Sequence, residues 1–559
     1  MYMQGLANFI DDFLGGLILI SFAMVIGGIV WSVFVLKCWG SAKADPTLAK
    51  RSAKIIRNSA IGLVVMQGLK LLIKGLVLFG VLGELPILDY ISTVQFKAGF
   101  IRLILALVVI QQSSALVRNP SCPKTWIRLS VVSIPLVLAG AWLVHAVGRF
   151  DDRLTLMGLT VLHQFAAAIW FGGVAQLVSL WQLSRNNEAA KDFWRTALLR
   201  FAKLGVIAVI ALLITGLPLA YKYVASWTGL FGTGYGSLVL TKSALLLIAV
   251  GFAAANHLAV KRSKNLRQGD LIYTKVPSFI EAESFILIGI LFVAATLSSQ
   301  PPSEDIADNP QLTASIPEVV YMFTPRVPKI ESPSHADLIA GEAGRVAVVN
   351  KIPSVAAKEW SDYNHNVAGI FLTVMCIFAL ISYIPSRAVG WANYWPIGFV
   401  GLGVFLFFRS DAETWPLGPI GFWESTFKNG EVFQHRIATL LTLILGILEI
   451  RARTGIGSPR SRYLFPILCA FGGILLLTHA HAEFELKTEY LIQSTHVTMG
   501  LLAMIIASGR WLELRLTHYQ PGYHSAWGDD GIGSLSGIVS ILAMLMIGVI
   551  MMFYLEPLV

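Results

Sequence analysis

Residues 154–182 read LTLMGLTVLHQFAAAIWFGGVAQLVSLWQ, with no aspartate, glutamate, lysine or arginine among them. A helix rises 1.5 Å per residue, so this stretch is long enough to cross the roughly 30 Å apolar core of a bilayer. Within hydrocarbon a segment must satisfy its own backbone groups, which a helix does. The stretch predicts a transmembrane helix that carries one histidine, His163.

Similar runs recur on both sides of it. They fall at roughly 13–36, 59–82, 97–117, 129–148, 154–182, 204–221, 238–260, 277–298, 366–385, 393–408, 433–450, 463–480, 489–509 and 534–555. The expected fold is an all-α polytopic transmembrane helical bundle of about 14 spans. Composition agrees. Of 559 residues, 55% are hydrophobic and 14% charged, against about 25% charged in soluble domains. The four cysteines form no CxxC pair, which argues against a disulfide framework or thiolate cage. The first run is too long for a cleavable signal peptide and lacks a basic region before it.

Lysine and arginine favour cytoplasmic loops. The loops after the odd-numbered spans hold 26 of them and the opposite loops 11, five of those in one long insert. Both termini are therefore expected on the periplasmic side of a bacterial inner membrane. The net charge of +10 then reports topology, and no nucleic-acid partner is implied. The insert, 299–365, is rich in proline and reads as an extended linker or small cap. It divides the chain into an eight-span domain, 1–298, and a six-span domain, 366–559.

With this topology five histidines of the second domain come to the outer face. His365 precedes one span, His435 opens another, His479 and His481 close a third, and His496 lies about two turns into the next. The local strings are WSDYNHN, EVFQHR and THAHAEFELKTEYLIQSTH, with Asp362, Asp411, Glu483 and Glu485 nearby. Imidazole suits copper, zinc and iron, and carboxylates orient such ligands. The competing reading is that interfacial histidines merely reach lipid headgroups. In the first domain His145 and His163 form two further candidate metal ligands on an inward path. His257 reads either as an exit point or as a snorkelling side chain. Lys70, Lys74, Lys97, Arg102, Lys242, Glu281 and Glu283 are intramembrane charges expected to pair structurally, with Glu283 and Lys242 also pathway candidates.

The string LHQFAAAIWFGG, 162–173, resembles the H-x-x-A-A-x-x-W-x-G-G signature of the copper-resistance protein D (CopD) family of bacterial inner-membrane proteins. Further strings resemble that family in order and spacing. They are RFAKLGVIAVIALLITGLPLAYKYV with Thr215 and Gly216, GTGYGSLVLTKSALLLIAVGFAAANHLAVKR with Tyr235, Gly236 and Lys242, and EAESFILIGILFVAATLSSQPP with Glu281 and Glu283. The resemblance covers residues 130–302 and implies inward copper transport, with a separate periplasmic copper carrier resembling CopC as donor. The chain has no P-loop and no phosphorylation-site aspartate motif, which argues against ATP-driven pumping by this chain and against an enzyme. Two other readings stay open. One is a redox protein holding haem b between paired imidazoles. The other is a copper-binding scaffold or sensor without transport.

Overall fold

A computed structural model describes residues 2–39, 45–83, 86–149, 151–262, 271–342, 354–384, 387–412, 414–428, 430–456, 458–478, 487–517 and 531–557. Fourteen main helices account for the apolar runs. They are α1 (Tyr2–Phe34), α2 (Pro46–Leu82), α3 (Val94–Arg118), α4 (Pro123–Gly140), α5 (Arg153–Ser184), α6 (Glu188–Val224), α7 (Gly234–Arg262) and α8 (Val276–Leu297), then α9 (Val355–Ile381), α10 (Ile397–Arg409), α11 (Gly430–Arg453), α12 (Leu464–Leu477), α13 (Lys487–Leu516) and α14 (Gly531–Met552). Among the described residues, 13 helical stretches are long and apolar enough to cross a membrane, and Ser461–Leu477 is a shorter apolar one. The chain is a multi-pass, all-helical membrane protein. Its surface agrees, since Ile214, Leu217 and Leu247 are 65%, 68% and 73% exposed in mid-helix. Water would penalise such faces, whereas lipid tails cover them at no cost.

The helices form two compact units. One comprises Ile10–Ser226 and Leu238–Asp305, the other Met1–Phe9, Trp227–Ser237 and Ile306–Val559. In the first unit α5 packs on α6, α8 and α4, and α3 packs on α2 and α4. Helix α1 crosses α5 at two glycines. A Cβ on Gly172 would lie 2.4 Å from the Ala23 carbonyl oxygen and 2.7 Å from the Gly27 Cα. Only glycine allows backbones so near. Helix α4 stops earlier than hydropathy suggests. It contains Pro135 and passes at Gly140 into a 3-10 turn, Ala141–Leu143, so His145 sits in a second short turn beyond the helix.

In the second unit each of the six helices α9–α14 packs on its sequence neighbour, and α14 returns to α9, closing a ring. The segment Trp227–Ser237 belongs to this unit. Gly232 O accepts from Ala314 N–H at 2.9 Å, and Phe231 O accepts from the Tyr490 hydroxyl.

The proline-rich insert is less extended than its composition suggests. Ser315 caps a short helix, Ile316–Met322, through a reciprocal pair of bonds with Glu318, and Pro317 sits in its first turn, where a missing N–H costs nothing. Met322 and Ala314 are buried against Tyr490 and Leu491 of α13, and Leu338 against Trp360 and Ala412. Glu318 also pairs with Lys487.

Two arginines counted above as loop charges are in fact interior. Helix α11 runs on to Arg453 and α13 to Leu516, so Arg453 and Arg510 lie inside the ring. Glu449 bonds Arg453 Nε at 2.7 Å and Arg510 at 2.8 Å, and Arg510 bonds Glu513 at 2.5 Å. The Tyr383 hydroxyl donates to Glu513 at 2.5 Å. None of the four charged residues is more than 3% exposed. Two positive and two negative groups make the cluster neutral, which is how buried charges are tolerated.

Candidate functional site

The motif KEWSDYNHN at the start of α9 builds one candidate site in the second unit. Lys358, Asp362 and Asn366 recur every four residues and share a face. They tie down the chain that follows α14. Lys358 Nζ donates to Pro557 O at 3.0 Å, Asp362 Oδ1 accepts from Glu556 N–H at 2.6 Å, and Asn366 Nδ2 donates to Tyr554 O at 2.8 Å. That clamp sets the Tyr554 ring on the His365 imidazole, with centroids 4.0 Å apart.

His496 of α13 faces His365 edge-to-face, centroid to centroid 5.9 Å. Each imidazole is fixed by its own helix. His365 Nδ1 lies 2.9 Å from Ser361 O, and His496 Nδ1 lies 3.0 Å from Ile492 O. A carbonyl oxygen only accepts, so both Nδ1 atoms carry the hydrogen, and Nε2 is the basic nitrogen of each neutral ring.

His435 of α11 has a carboxylate partner. Its Nδ1 is 2.9 Å from Asp411 Oδ1. Burial disfavours charge on Asp411, but the His435 imidazole, the Ser410 hydroxyl and Arg436 together hold its carboxyl below the usual carboxylate range. A carboxylate behind an imidazole is a common support for a metal-binding Nε2. His479 and His481, with Glu483 and Glu485, lie outside the described residues. Among the described residues no group of three or more His, Cys, Asp or Glu stands close enough to hold a metal ion. Of the five histidines expected at one face, the structure thus brings His365 to His496 and His435 to Asp411.

The first unit holds a second set. His163 lies ten residues into α5, about 15 Å along it. Its Nδ1 is 3.0 Å from Thr215 Oγ1 on α6, and that hydroxyl donates to Ala211 O at 2.6 Å. The hydroxyl hydrogen is therefore committed, and His163 Nδ1–H is the donor. Gly216 makes room for the ring, since a Cβ there would lie 3.1 Å from His163 Cε1. Lys242 of α7 is within electrostatic reach of the imidazole. Two turns further along the same face of α5, Trp170 Nε1–H donates to Glu283 Oε1 at 2.8 Å. Asn256 Nδ2 of α7 donates to Glu283 Oε2 at 3.1 Å. Glu283 is thus held by neutral donors and not by the ion pair its charge suggests. Of the lysines expected to pair, Lys70 lies 3.0 Å and Lys74 3.8 Å from Asp11 of α1. Arg102 lies 4.7 Å over the Phe22 ring.

His145 stands half-buried in the turn after α4, 6.5 Å from the Tyr223 ring. Burial keeps its imidazole neutral to lower pH than usual. Beside it Arg149 bonds Glu304 at 3.2 Å and Asp305 at 2.8 Å. His257 is exposed on α7, its neighbour Asn256 being the one that turns inward.

Residues 195–297 match the family model for copper resistance protein D, a segment spanning most of α6 and all of α7 and α8. Over that segment the chain is similar to the copper resistance protein D family. It is also 26% identical over 292 residues to the copper transport protein CutJ of Bacillus subtilis strain 168, half of this chain and 51% of that relative. The chain spans about half the length of this curated relative. No solved structure matches it.

The copper resistance protein D match includes Thr215, Lys242, Asn256 and Glu283. The preceding helix α5 supplies the groups that meet them, and its signature now has a physical reading. His163 meets Thr215, Trp170 holds Glu283, and Gly172 admits α1. Sequence reasoning overlooked Asp11, Asn256, Tyr554 and the Glu449–Arg510 cluster. Asn256 was adjacent to a histidine that drew attention, and Asp11 lay just before the first apolar run. Nothing local marked Tyr554, whose role depends on a fold-back of the chain end.

Proposed function

We propose that this chain is a copper transport protein of the bacterial inner membrane. It captures copper at the periplasmic face through histidines and passes it inward. The family match supports copper as the cargo. The observation that carries the capture site is the facing pair His365 and His496, each with Nδ1 held by a backbone carbonyl and Nε2 as its basic nitrogen. Two neutral imidazoles are good ligands for either oxidation state of copper. His435, backed by Asp411, is a further outer ligand in this reading, together with His479 and His481. In the other unit His145 and His163 serve as transfer ligands, His163 being aimed by Thr215. The positive charge of Lys242 near His163 disfavours a bare cation and favours passage from ligand to ligand. A periplasmic carrier resembling CopC is the proposed donor.

Copper titration of the purified protein tests the capture site. The wild type is expected to bind copper, and the double variant His365→Ala/His496→Ala to lose at least tenfold in affinity. Equal binding by both would refute the site. Copper uptake into vesicles is expected to fall to background in His163→Ala, and undiminished uptake would refute the transfer role. An absorbance spectrum of the same samples separates copper from haem, which would give a Soret band.

A further inference from the structure

Glu283 is 3% exposed, and both its carboxylate oxygens are occupied by neutral donors, Trp170 Nε1–H on Oε1 and Asn256 Nδ2–H on Oε2. The ionisable groups with described side chains on the surrounding helices are Glu281 on α8, Arg153 and His163 on α5, Tyr235, Lys242, His257 and Lys261 on α7, and Asp11 and Asp12 on α1. None exerts a resolved electrostatic pull on Glu283. Buried carboxylates ordinarily have a cation beside them. Here the neighbour is Asn256, itself only 9% exposed, whose Oδ1 meets no hydrogen-bond donor. A buried amide oxygen left without a donor is costly, and such atoms mark a missing partner.

We propose that Glu283, Asn256 and Trp170 form an intramembrane proton site. The amide is what makes the arrangement work, because it offers a donor and an acceptor that exchange places on a half-turn about its terminal bond. With Glu283 ionised, Asn256 Nδ2–H donates to Oε2, as in the structure. When a hydronium ion delivers its proton, an O–H bond forms at Oε2 and water leaves. The Asn256 amide then turns so that Oδ1 accepts from that new O–H. Release of the proton to water reverses both changes, and no electrons move. The Trp170 N–H serves Oε1 in either state. Both forms of the carboxyl are satisfied without any helix moving, which suits a group that loads and unloads repeatedly. In a cation conduit such a site would balance the charge of the transported ion, and only this purpose rests on the copper reading.

The test needs no copper, so its failure is distinct from failure of that reading. The full chain in lipid nanodiscs is titrated with acid and followed by infrared difference spectroscopy. A protonated-carboxyl C=O band should grow on acidification in the wild type and be absent from Glu283→Gln. In Asn256→Leu the band should move to higher frequency, because the O–H has lost its acceptor. Identical difference spectra in wild type and Glu283→Gln would overturn the proposal. Should Glu283→Gln fail to fold, the Asn256→Leu spectrum decides alone, a shifted band supporting the site and an unshifted one overturning it. Repeating the titration with choline in place of sodium separates the proton from a metal cation. An unchanged band supports the proton, and a band that appears only without sodium overturns it in favour of a sodium site.

Discussion

At the scale of single residues, recurring chemistry is the fixing of one side-chain atom so that another can work. Backbone carbonyls take the Nδ1–H of His365 and His496, Thr215 takes that of His163, and Asp411 takes that of His435. The residue types were legible in the sequence, since histidines near helix ends stand out against apolar runs. Their partners were not, because Thr215 and Asp411 lie 52 and 24 residues away from the rings they hold. A pH prediction belongs at this scale. Lys487, with help from the Ser315 hydroxyl and backbone, draws the Glu318 carboxyl down to about 2 from 4.5. Its folded value is depressed, so its stabilisation is complete above 4.5 and fades as pH falls toward 2. The pair is partly solvent-exposed, so the effect is modest. The thermal midpoint of the wild type should therefore drop more between about pH 5 and about pH 3 than that of Glu318→Gln. Equal drops would remove the ion pair from the stability of the insert.

At the scale of elements, close helix crossings distinguish glycines that look alike in sequence. Gly172 faces backbone of α1, which cannot retreat, whereas Gly216 faces a side chain. Gly172→Ala should cost roughly 1–3 kcal/mol of stability by overpacking, seen as a lower unfolding midpoint in detergent. Gly216→Ala should cost less than about 1 kcal/mol, because the ring can shift by a few tenths of an ångström. On the proposed transport role it should nevertheless impair copper uptake, since the displaced ring is that of His163. If the two variants destabilise equally, the assignment of their contacts is at fault. The proline-rich insert shows the same limit of pattern reading. Its prolines suggested an extended strand of chain, yet Ser315 and Glu318 start a helix, and Met322 and Leu338 find buried places that composition does not reveal.

At the scale of the whole molecule, buried charge is met in two ways. The ring of six helices neutralises Glu449 and Glu513 with Arg453 and Arg510. Arg510→Met leaves Glu449 with Arg453 but strands Glu513, and should destabilise the protein by about 3–5 kcal/mol, measurable by thermal unfolding. Adding Glu513→Gln should recover part of that loss, because the stranded charge is removed with it. No recovery would mean that Arg510 acts by packing alone. The other unit leaves Glu283 with neutral donors only. The sequence by itself determined the class, the apolar runs that become helices, and the likeness to the copper resistance protein D family. A bilayer acts as a uniform solvent, so the length and polarity of a segment are enough to put it across, and the copper resistance protein D strings are local. Only the tertiary structure decided which charges meet, that Lys70 joins Asp11, that Asn256 and Trp170 share Glu283, and that Tyr554 returns to His365. Those choices follow from where helices cross and which faces they present, and no one-dimensional pattern of hydropathy records a crossing.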